Sequence, residues 1–306
     1  MMLEHFRKVP HGVVPLYFMQ IFSTFSFAII YSSLSLYLTN QLGFSQVSSN
    51  NLVGIFLALN FVLHLFGGAI GGTLLSNRFL FLLSIFFQLI GLACLTIFGG
   101  QLLHVGLGLF LVGCGLNTTC LNSLLAQRFC VNNSYQESAF FMSYAAMNIG
   151  FTIGYIFSGL FDHSNQYENL FLIGCIVSTI TIIIALFSWE NLKDVSTKLA
   201  EFENRKDYLK NKCLGILASI VLIPIMIILF NYSELANILV VTISACMFMI
   251  ILYLSFNQKN IKDMKNLKVF LVLTISSVIF WMIYYTGPMG VTLFIKNNGL
   301  FPNLCW

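Results

Sequence analysis

The distribution of basic residues between long apolar runs restricts the fold of this chain more than any other feature of its sequence. Fourteen of the fifteen Lys and Arg residues precede the first run or lie in every second gap after it, and the intervening gaps contain none. Only Lys296, after the last run, lies on the other side. The nine runs cover residues 14–38, 52–75, 79–99, 102–127, 138–161, 169–189, 213–230, 236–256 and 269–295.

An apolar run of about 20 residues matches the ~30 Å hydrocarbon core of a bilayer, and basic residues concentrate in cytoplasmic loops. The pattern therefore predicts an all-α polytopic protein of the inner (plasma) membrane, with nine spans, a cytoplasmic amino terminus and an external carboxyl end. The composition agrees, since 58% of the residues are hydrophobic and 8% are charged, against about 25% charged in soluble domains. Continuous runs also argue against the alternating strands of a membrane β-barrel.

The charge and the cysteines argue against several classes of function. The net charge of +4 follows from the topology signal, so we expect no nucleic-acid partner. We expect no secretory peptide either, because the leader is short and no small-residue cleavage site precedes Tyr31. The sequence contains no H-E-x-x-H motif or other metal or cofactor motif, so we expect no metal, no cofactor and no enzyme. We interpret the cysteines in or near the apolar runs as small buried hydrophobes: Cys94, Cys114, Cys120, Cys130, Cys175, Cys213 and Cys246.

The spans hold almost no ionisable groups. All eleven Asp and Glu residues lie in loops or at the ends of runs, although carboxylates inside a membrane are the usual mark of an ion or proton pathway. His64, in the second run, is the one internal group that titrates near neutral pH, and it is our candidate for proton coupling. The alternative is a hydrogen-bonded histidine with a packing role.

Four sequence blocks, in order, resemble motifs of one transporter family. They are QIFSTFSFAIIYSSLSLYL at 20–38, GGAIGGTLLS at 67–76, GLNTTCLNSLL at 115–125 and SAFFMSYAAMNIG at 138–150. The last apolar run, with IFWMIYYTGPMGVTLF, is similar to the seventh core helix of the same family. The chain thus resembles the proton-dependent oligopeptide transporter family, a branch of the major facilitator superfamily.

The resemblance implies a domain organisation. Members of this family have two six-helix bundles with a substrate site between them near the membrane midplane. Residues 1–189 would form the amino-terminal six-helix bundle, 190–212 a charged cytoplasmic connector, 213–268 an inserted two-helix hairpin with its loop, and 269–306 the first helix of the second bundle. We therefore expect a truncated form, to which a separate chain could supply the missing bundle.

The same resemblance supplies candidate site residues and shows where the chain departs from the family. Gln20, Ser23 and Thr24 stand where the family has two glutamates and an arginine, and Thr118 replaces a lysine; those charged residues are implicated in proton coupling and in holding the peptide carboxylate. Asn148 matches the asparagine that contacts the peptide amino terminus, and Tyr144 precedes it by one turn. A hydrogen bond from Asn148 to a neighbouring helix is the alternative. The full set of substrate-binding candidates is Gln20, Ser23, Thr24, Thr118, Tyr144, Asn148, Tyr285 and Thr286.

Two hypotheses for the function follow. The first is a divergent secondary transporter for di- and tripeptides or related small solutes, with its proton-coupling charges lost. The second is a membrane scaffold that does not transport and uses the surviving helices to bind a partner. Both require the lipid bilayer.

Overall fold

The computed structural model describes residues 10–129, 134–195, 197–201, 205–258 and 260–287, together with Val291 and Phe294. Within these residues the chain forms nine α-helices and no β-strand. The helices are α1 Val13–Leu36, α2 Gln46–Ile70, α3 Asn77–Phe98, α4 Leu103–Ala126, α5 Ser134–His163, α6 Tyr167–Phe187, α7 Arg205–Asn231, α8 Ser233–Phe256 and α9 Ile261–Tyr284.

The lengths of the helices suit a bilayer. The shortest, α6, has 21 residues, which at 1.5 Å per residue extends about 31 Å. Eight apolar stretches of the described chain are long enough to cross a membrane, and one of them, Asn77–Ala126, has 50 residues. That stretch holds both α3 and α4, which the 3₁₀ turn Gly99–Leu102 separates. The predicted all-helical, polytopic membrane fold is confirmed.

Several helices begin or end away from the apolar runs. Helix α2 begins at Gln46, because the Ser45 hydroxyl caps it by accepting a hydrogen bond from the Ser48 backbone N–H (3.2 Å). It ends at Ile70, and Gly72 then turns the chain with φ = 73°. Helix α7 already begins at Arg205. Residues 205–212, the last part of the predicted connector, are therefore the polar first turns of a membrane helix.

The bundle packs closely where α1 meets α5. A Cβ atom added at Gly154 would lie 2.5 Å from Ala28 Cβ, and one at Gly150 would overlap the Ile21 carbonyl oxygen. Without side chains at these glycines, the two backbones approach as in other small-residue contacts between membrane helices. Ser32 also donates to Ser158 across this interface (2.7 Å). Gly150 and Gly154 thus have the packing role expected of small residues between membrane helices.

The segment after α6 is tied to the ends of other helices. Asp194 accepts hydrogen bonds from the backbone N–H and the side-chain amide of Asn77, at 2.8 and 2.7 Å. It also accepts one from the Gln127 amide (3.2 Å), and the Arg128 guanidinium donates to the Asn191 carbonyl (2.7 Å). The first part of the predicted connector is thus fixed to the end of the bundle that carries the basic residues, which we call the basic end.

Helices α7, α8 and α9 differ in how they join the bundle. Helix α7 packs on α4, where Ile227 occupies the space beside Gly108, and it buries Leu222, Met226 and Leu229. Helices α8 and α9 leave most of their apolar residues exposed.

The cysteines only partly follow their interpretation as buried hydrophobes. Cys114 and Cys120 are buried, and Cys94 and Cys175 are half-buried. Cys213 and Cys246 are exposed on α7 and α8, so the prediction is wrong for these two because their helices meet few neighbours. Cys130 lies outside the described residues.

Candidate functional site

A cavity of about 240 Å³ lies between the amino-terminal bundle and the last described helix. Helices α1, α2, α4 and α5 form most of its wall, and the carboxyl-terminal end of α9 closes one side. Its lining residues are Gln20, Ser23, Thr24, Phe27, Tyr31, Leu57, Asn60, Phe61, His64, Cys114, Asn117, Thr118, Tyr144, Met147, Asn148, Phe151, Tyr155, Trp281, Tyr284 and Tyr285.

One wall carries a network of uncharged polar groups. The Gln88 amide, fully buried on α3, donates to the Ser23 carbonyl of α1 at 3.4 Å and accepts from the Asn117 amide of α4 at 3.2 Å. The Thr118 hydroxyl donates in turn to Asn117 Oδ1 (3.3 Å). This chain of hydrogen bonds links three helices and holds Asn117 and Thr118 at the cavity.

The neighbouring residues of α1 bond within their own helix. Gln20 Nε2 donates to Thr24 Oγ1 (2.9 Å), and the Ser23 hydroxyl donates to the Gln20 carbonyl (3.3 Å). Residues 20 and 24 are one turn apart and share a face. This face therefore presents amide and hydroxyl groups where the resembled family has charges.

Helix α5 presents Tyr144 and Asn148 to the same cavity. Asn148 Nδ2 donates to the Tyr144 carbonyl one turn earlier (2.8 Å), so among the described residues its bond is not to a neighbouring helix. Both side chains are exposed, Tyr144 to 61%. The Asn148 side chain is thus accessible from the cavity, and it does not link two of the described helices.

Three buried polar atoms of the lining residues have no hydrogen-bond partner among the described residues. They are Tyr31 Oη, Asn60 Oδ1 and His64 Nε2. A buried polar atom without a partner costs about 1–3 kcal/mol, and such atoms in a native structure call for an explanation. All three residues line the cavity, which therefore presents one hydroxyl, one amide oxygen and one imidazole nitrogen without a protein partner among the described residues.

Aromatic rings close one side of the cavity. The Tyr31 ring packs against those of Phe151, Tyr155 and Tyr285, with centroids 6.1, 6.2 and 6.4 Å away. Tyr285 also stacks on Trp281 (5.4 Å) and meets Phe61 edge-on (6.0 Å). These rings join α1, α2 and α5 to the end of α9.

The structure brings most of the sequence-derived candidates together. Gln20, Ser23, Thr24, Thr118, Tyr144, Asn148, Tyr285 and the proton-coupling candidate His64 all line this cavity. Thr286 is not among the lining residues; its hydroxyl donates to the Ile283 carbonyl (2.6 Å) just beyond α9. Its side chain is exposed there, and its contact with substrate stays a prediction.

Sequence reasoning missed several lining residues that a helical repeat could have found. Phe27 and Tyr31 continue the stripe begun by Gln20 and Thr24, at intervals of three and four residues that keep one face. Asn60 precedes His64 by one turn in the same way. Tyr155 continues the stripe of Tyr144, Asn148 and Phe151 on α5 in the same way, and Trp281 precedes Tyr285 by one turn. Only the packing of α9 against the bundle, which the sequence does not reveal, brings Trp281 and Tyr284 to the cavity. Among the described lining residues there is no Asp, Glu, Lys or Arg.

Comparisons with known proteins agree with this architecture. Residues 16–301 match the model of the Major Facilitator Superfamily. A dipeptide and tripeptide permease B of Photorhabdus luminescens is 24% identical over 291 residues, and one of Xenorhabdus bovienii is 25% identical over 299. Each match covers 94% of this chain and 59% of the relative. The chain thus spans about three fifths of the length of these relatives.

Solved structures show the same fold. A transporter of the POT family in complex with a thioalcohol-conjugated peptide has a TM-score of 0.78 at 19% identity, covering 95% of this chain and 64% of that one. A POT family transporter in complex with 5-aminolevulinic acid has a TM-score of 0.76 at 20% identity, covering 92% and 60%. The fold, the family match and the permease relatives agree that this chain is a multi-pass membrane protein of a transporter family and not an enzyme. It belongs to the Major Facilitator Superfamily.

Proposed function

We propose that this chain provides the amino-terminal half of the solute site of a peptide-type secondary transporter. The observation that carries the proposal is that three helices, distant in sequence, bring six candidate residues to one cavity: Gln20, Ser23, Thr24, Thr118, Tyr144 and Asn148. Alternating access needs two bundles that rock around a central site. We therefore assign transport to an assembly with a second six-helix bundle, and solute binding to the chain itself.

The cavity's chemistry supports a neutral solute. A zwitterionic peptide carries two charges, and a buried charge without a counter-charge is costly. The polar groups of the described lining are amides, hydroxyls, the Cys114 thiol and the His64 imidazole, with no Asp, Glu, Lys or Arg. We infer that small, uncharged, peptide-like molecules with both termini blocked bind better than the zwitterionic peptides themselves, and that proton coupling is weak.

A binding experiment tests this proposal. Isothermal titration of the purified chain with N-acetyl-Ala-Phe-amide and with free Ala-Phe should show tighter binding of the blocked peptide. The variant Asn148→Ala should weaken that binding, whereas Asn169→Ala should not, because Asn169 is an exposed amide of α6 outside the cavity. Equal binding of both peptides would contradict the neutral-solute proposal. Unchanged binding by Asn148→Ala would contradict the site.

The second hypothesis, a scaffold that binds a partner within the membrane, would use the exposed apolar surfaces of α8 and α9. Val241, Tyr253, Val272 and Met282, for example, are 64–67% exposed. A scaffold would bind no solute in its cavity. Uptake of labelled dipeptide into proteoliposomes that contain the chain with a second bundle separates the two hypotheses.

We also propose an inner-membrane location with the basic end in the cytoplasm, on the strength of the Lys and Arg distribution.

A further inference from the structure

A second cleft, of about 210 Å³, opens at the basic end of the bundle. It lies between the amino-terminal end of α3, the segment that follows α6 and the first turns of α7. The residues that matter for its chemistry are Ser76, Arg78, Phe79, Trp189, Tyr208 and Lys212. The cleft is separate from the solute cavity, with which it shares no lining residue.

Two cations in this cleft are held in place by aromatic rings. The Arg78 guanidinium lies 4.5 Å from the centre of the Trp189 ring, and its Nη1 donates to the Trp189 carbonyl (2.8 Å). Lys212 Nζ lies 4.8 Å from the centre of the Phe79 ring. Such contacts orient a cation without neutralising its charge.

Neither cation has a carboxylate partner within the described part of the chain. The neighbouring carboxylate, Asp194, accepts hydrogen bonds from Asn77 and Gln127 instead. Two positive charges, one on α3 and one on α7, thus face one small cleft. Their remaining N–H groups can donate hydrogen bonds to a bound anion. A planar guanidinium beside a second cation is well suited to a phosphate group.

The surroundings indicate a lipid and not a soluble phosphate. Trp189 and Tyr208 have the amphipathic rings that prefer the membrane–water interface. Exposed apolar side chains lie next to the cleft residues in sequence: Phe187, two residues before Trp189, is 89% exposed, and Leu209 and Leu214 of α7 are each 50% exposed. The basic end is also the end that the charge pattern assigns to the cytoplasm, where anionic lipids attract basic residues.

We propose that this cleft binds the phosphate of an anionic phospholipid, such as phosphatidylglycerol, with Arg78 and Lys212 as its two ligands. The acyl chains would lie against the exposed apolar residues of α6 and α7. Because the cations belong to different parts of the chain, the lipid would bridge the six-helix bundle and the hairpin.

Native mass spectrometry of the purified chain in detergent tests the site, with phosphatidylglycerol, phosphatidylcholine and inorganic phosphate as separate probes. We expect selective adducts with phosphatidylglycerol. Basic residues near the membrane surface attract anionic lipids. The variant Lys212→Gln should therefore weaken binding roughly fivefold, and the double variant with Arg78→Gln and Lys212→Gln roughly 25-fold. Lys212→Arg should restore binding. Lys265→Gln removes an exposed cation of α9 outside the cleft and should leave binding unchanged.

Each other result counts against the proposal. Phosphatidylglycerol adducts that persist in the double variant at wild-type strength would overturn the site. Equal retention of phosphatidylcholine would show that charge does not select the lipid. Displacement of phosphatidylglycerol by an equal concentration of inorganic phosphate would show that the cleft takes a free anion. Lys212→Gln remains informative if the double variant fails to fold, since it leaves the Arg78–Trp189 contact intact.

Discussion

Tyr31 of α1 and Tyr285, which directly follows α9, meet edge-on with their ring centroids 6.4 Å apart. More than 250 residues separate them in the sequence. The contact connects the amino-terminal bundle to the last described helix, and both residues line the solute cavity. This pair therefore links the shape of the cavity to the position of α9.

Replacing Tyr285 should affect solute binding through this contact. An aromatic pair contributes about 0.5–1.5 kcal/mol beyond the area it buries, so Tyr285→Ala should weaken binding of a blocked dipeptide by roughly 3- to 10-fold, and Tyr285→Phe should change it little. Tyr253→Ala is the control, because Tyr253 of α8 is 67% exposed and away from the cavity. Titration calorimetry measures the effect, and a loss of binding in Tyr253→Ala would show that the change is not local.

The close contact of α1 and α5 predicts that Gly154 does not tolerate a methyl group. An added Cβ would meet Ala28 Cβ at 2.5 Å, and overpacking of this kind costs about 1–3 kcal/mol. Gly154→Ala should therefore lower the midpoint of thermal unfolding in detergent. Gly54→Ala is the matched control, because nothing lies within 4 Å of an added Cβ there. Equal midpoints for the two variants would contradict the packing described for α1 and α5.

Asp194 should stabilise the segment that follows α6. Asp194→Ala leaves the Asn77 backbone N–H and the amides of Asn77 and Gln127 without their acceptor, and an unsatisfied buried group costs about 1–3 kcal/mol. We expect faster cleavage of residues 190–201 by trypsin and a lower unfolding midpoint. Glu190→Ala, at an exposed carboxylate nearby, should have neither effect.

Solute binding should depend little on pH. His64 is the only described lining residue whose ordinary pKa, about 6.5, lies near neutrality, and no carboxylate lines the cavity among the described residues. We expect less than a roughly threefold difference in affinity between about pH 5.5 and about pH 8, the range that brackets an ordinary histidine. If binding is much stronger at acid pH and remains so in His64→Ala, another group must take up the proton.

The basic end should face the cytoplasm. A cysteine introduced as Lys198→Cys, in a variant that lacks the native cysteines, should react with a membrane-impermeant maleimide only after the cells are opened. The physical reason is the cost of moving basic residues across the membrane, about 2.5–3.5 kcal/mol for each one at a helix centre. Labelling from the outside of intact cells would reverse the proposed orientation.

The sequence predicted well which segments are helical and which helix ends carry the basic residues, because both depend on local hydropathy and charge. The apolar runs set the lengths of the membrane helices, and the Lys and Arg residues mark one set of helix ends. The stripe from Gln20 to Tyr31 on α1 could likewise be found from helical spacing alone.

Tertiary structure decided where the helices begin and end and which side chains meet. The run from residue 213 did not reveal that α7 begins at Arg205, since charged turns can continue a helix beyond the bilayer. One step along the chain separates Tyr285, inside the cavity, from Thr286, outside it, at the point where α9 ends.

The candidate site itself required residues far apart in sequence to converge. Gln88 joins Ser23 to Asn117, Tyr31 meets Tyr285, and Arg78 meets Trp189. Lipid is as apolar as the helices, so the choice of neighbours there depends on close van der Waals fit and a few interhelical hydrogen bonds. Hydropathy and charge along one chain determined that the helices form and which ends lie together; the fit between their surfaces, at contacts such as Gly154 on Ala28, decided which side chains share a cavity.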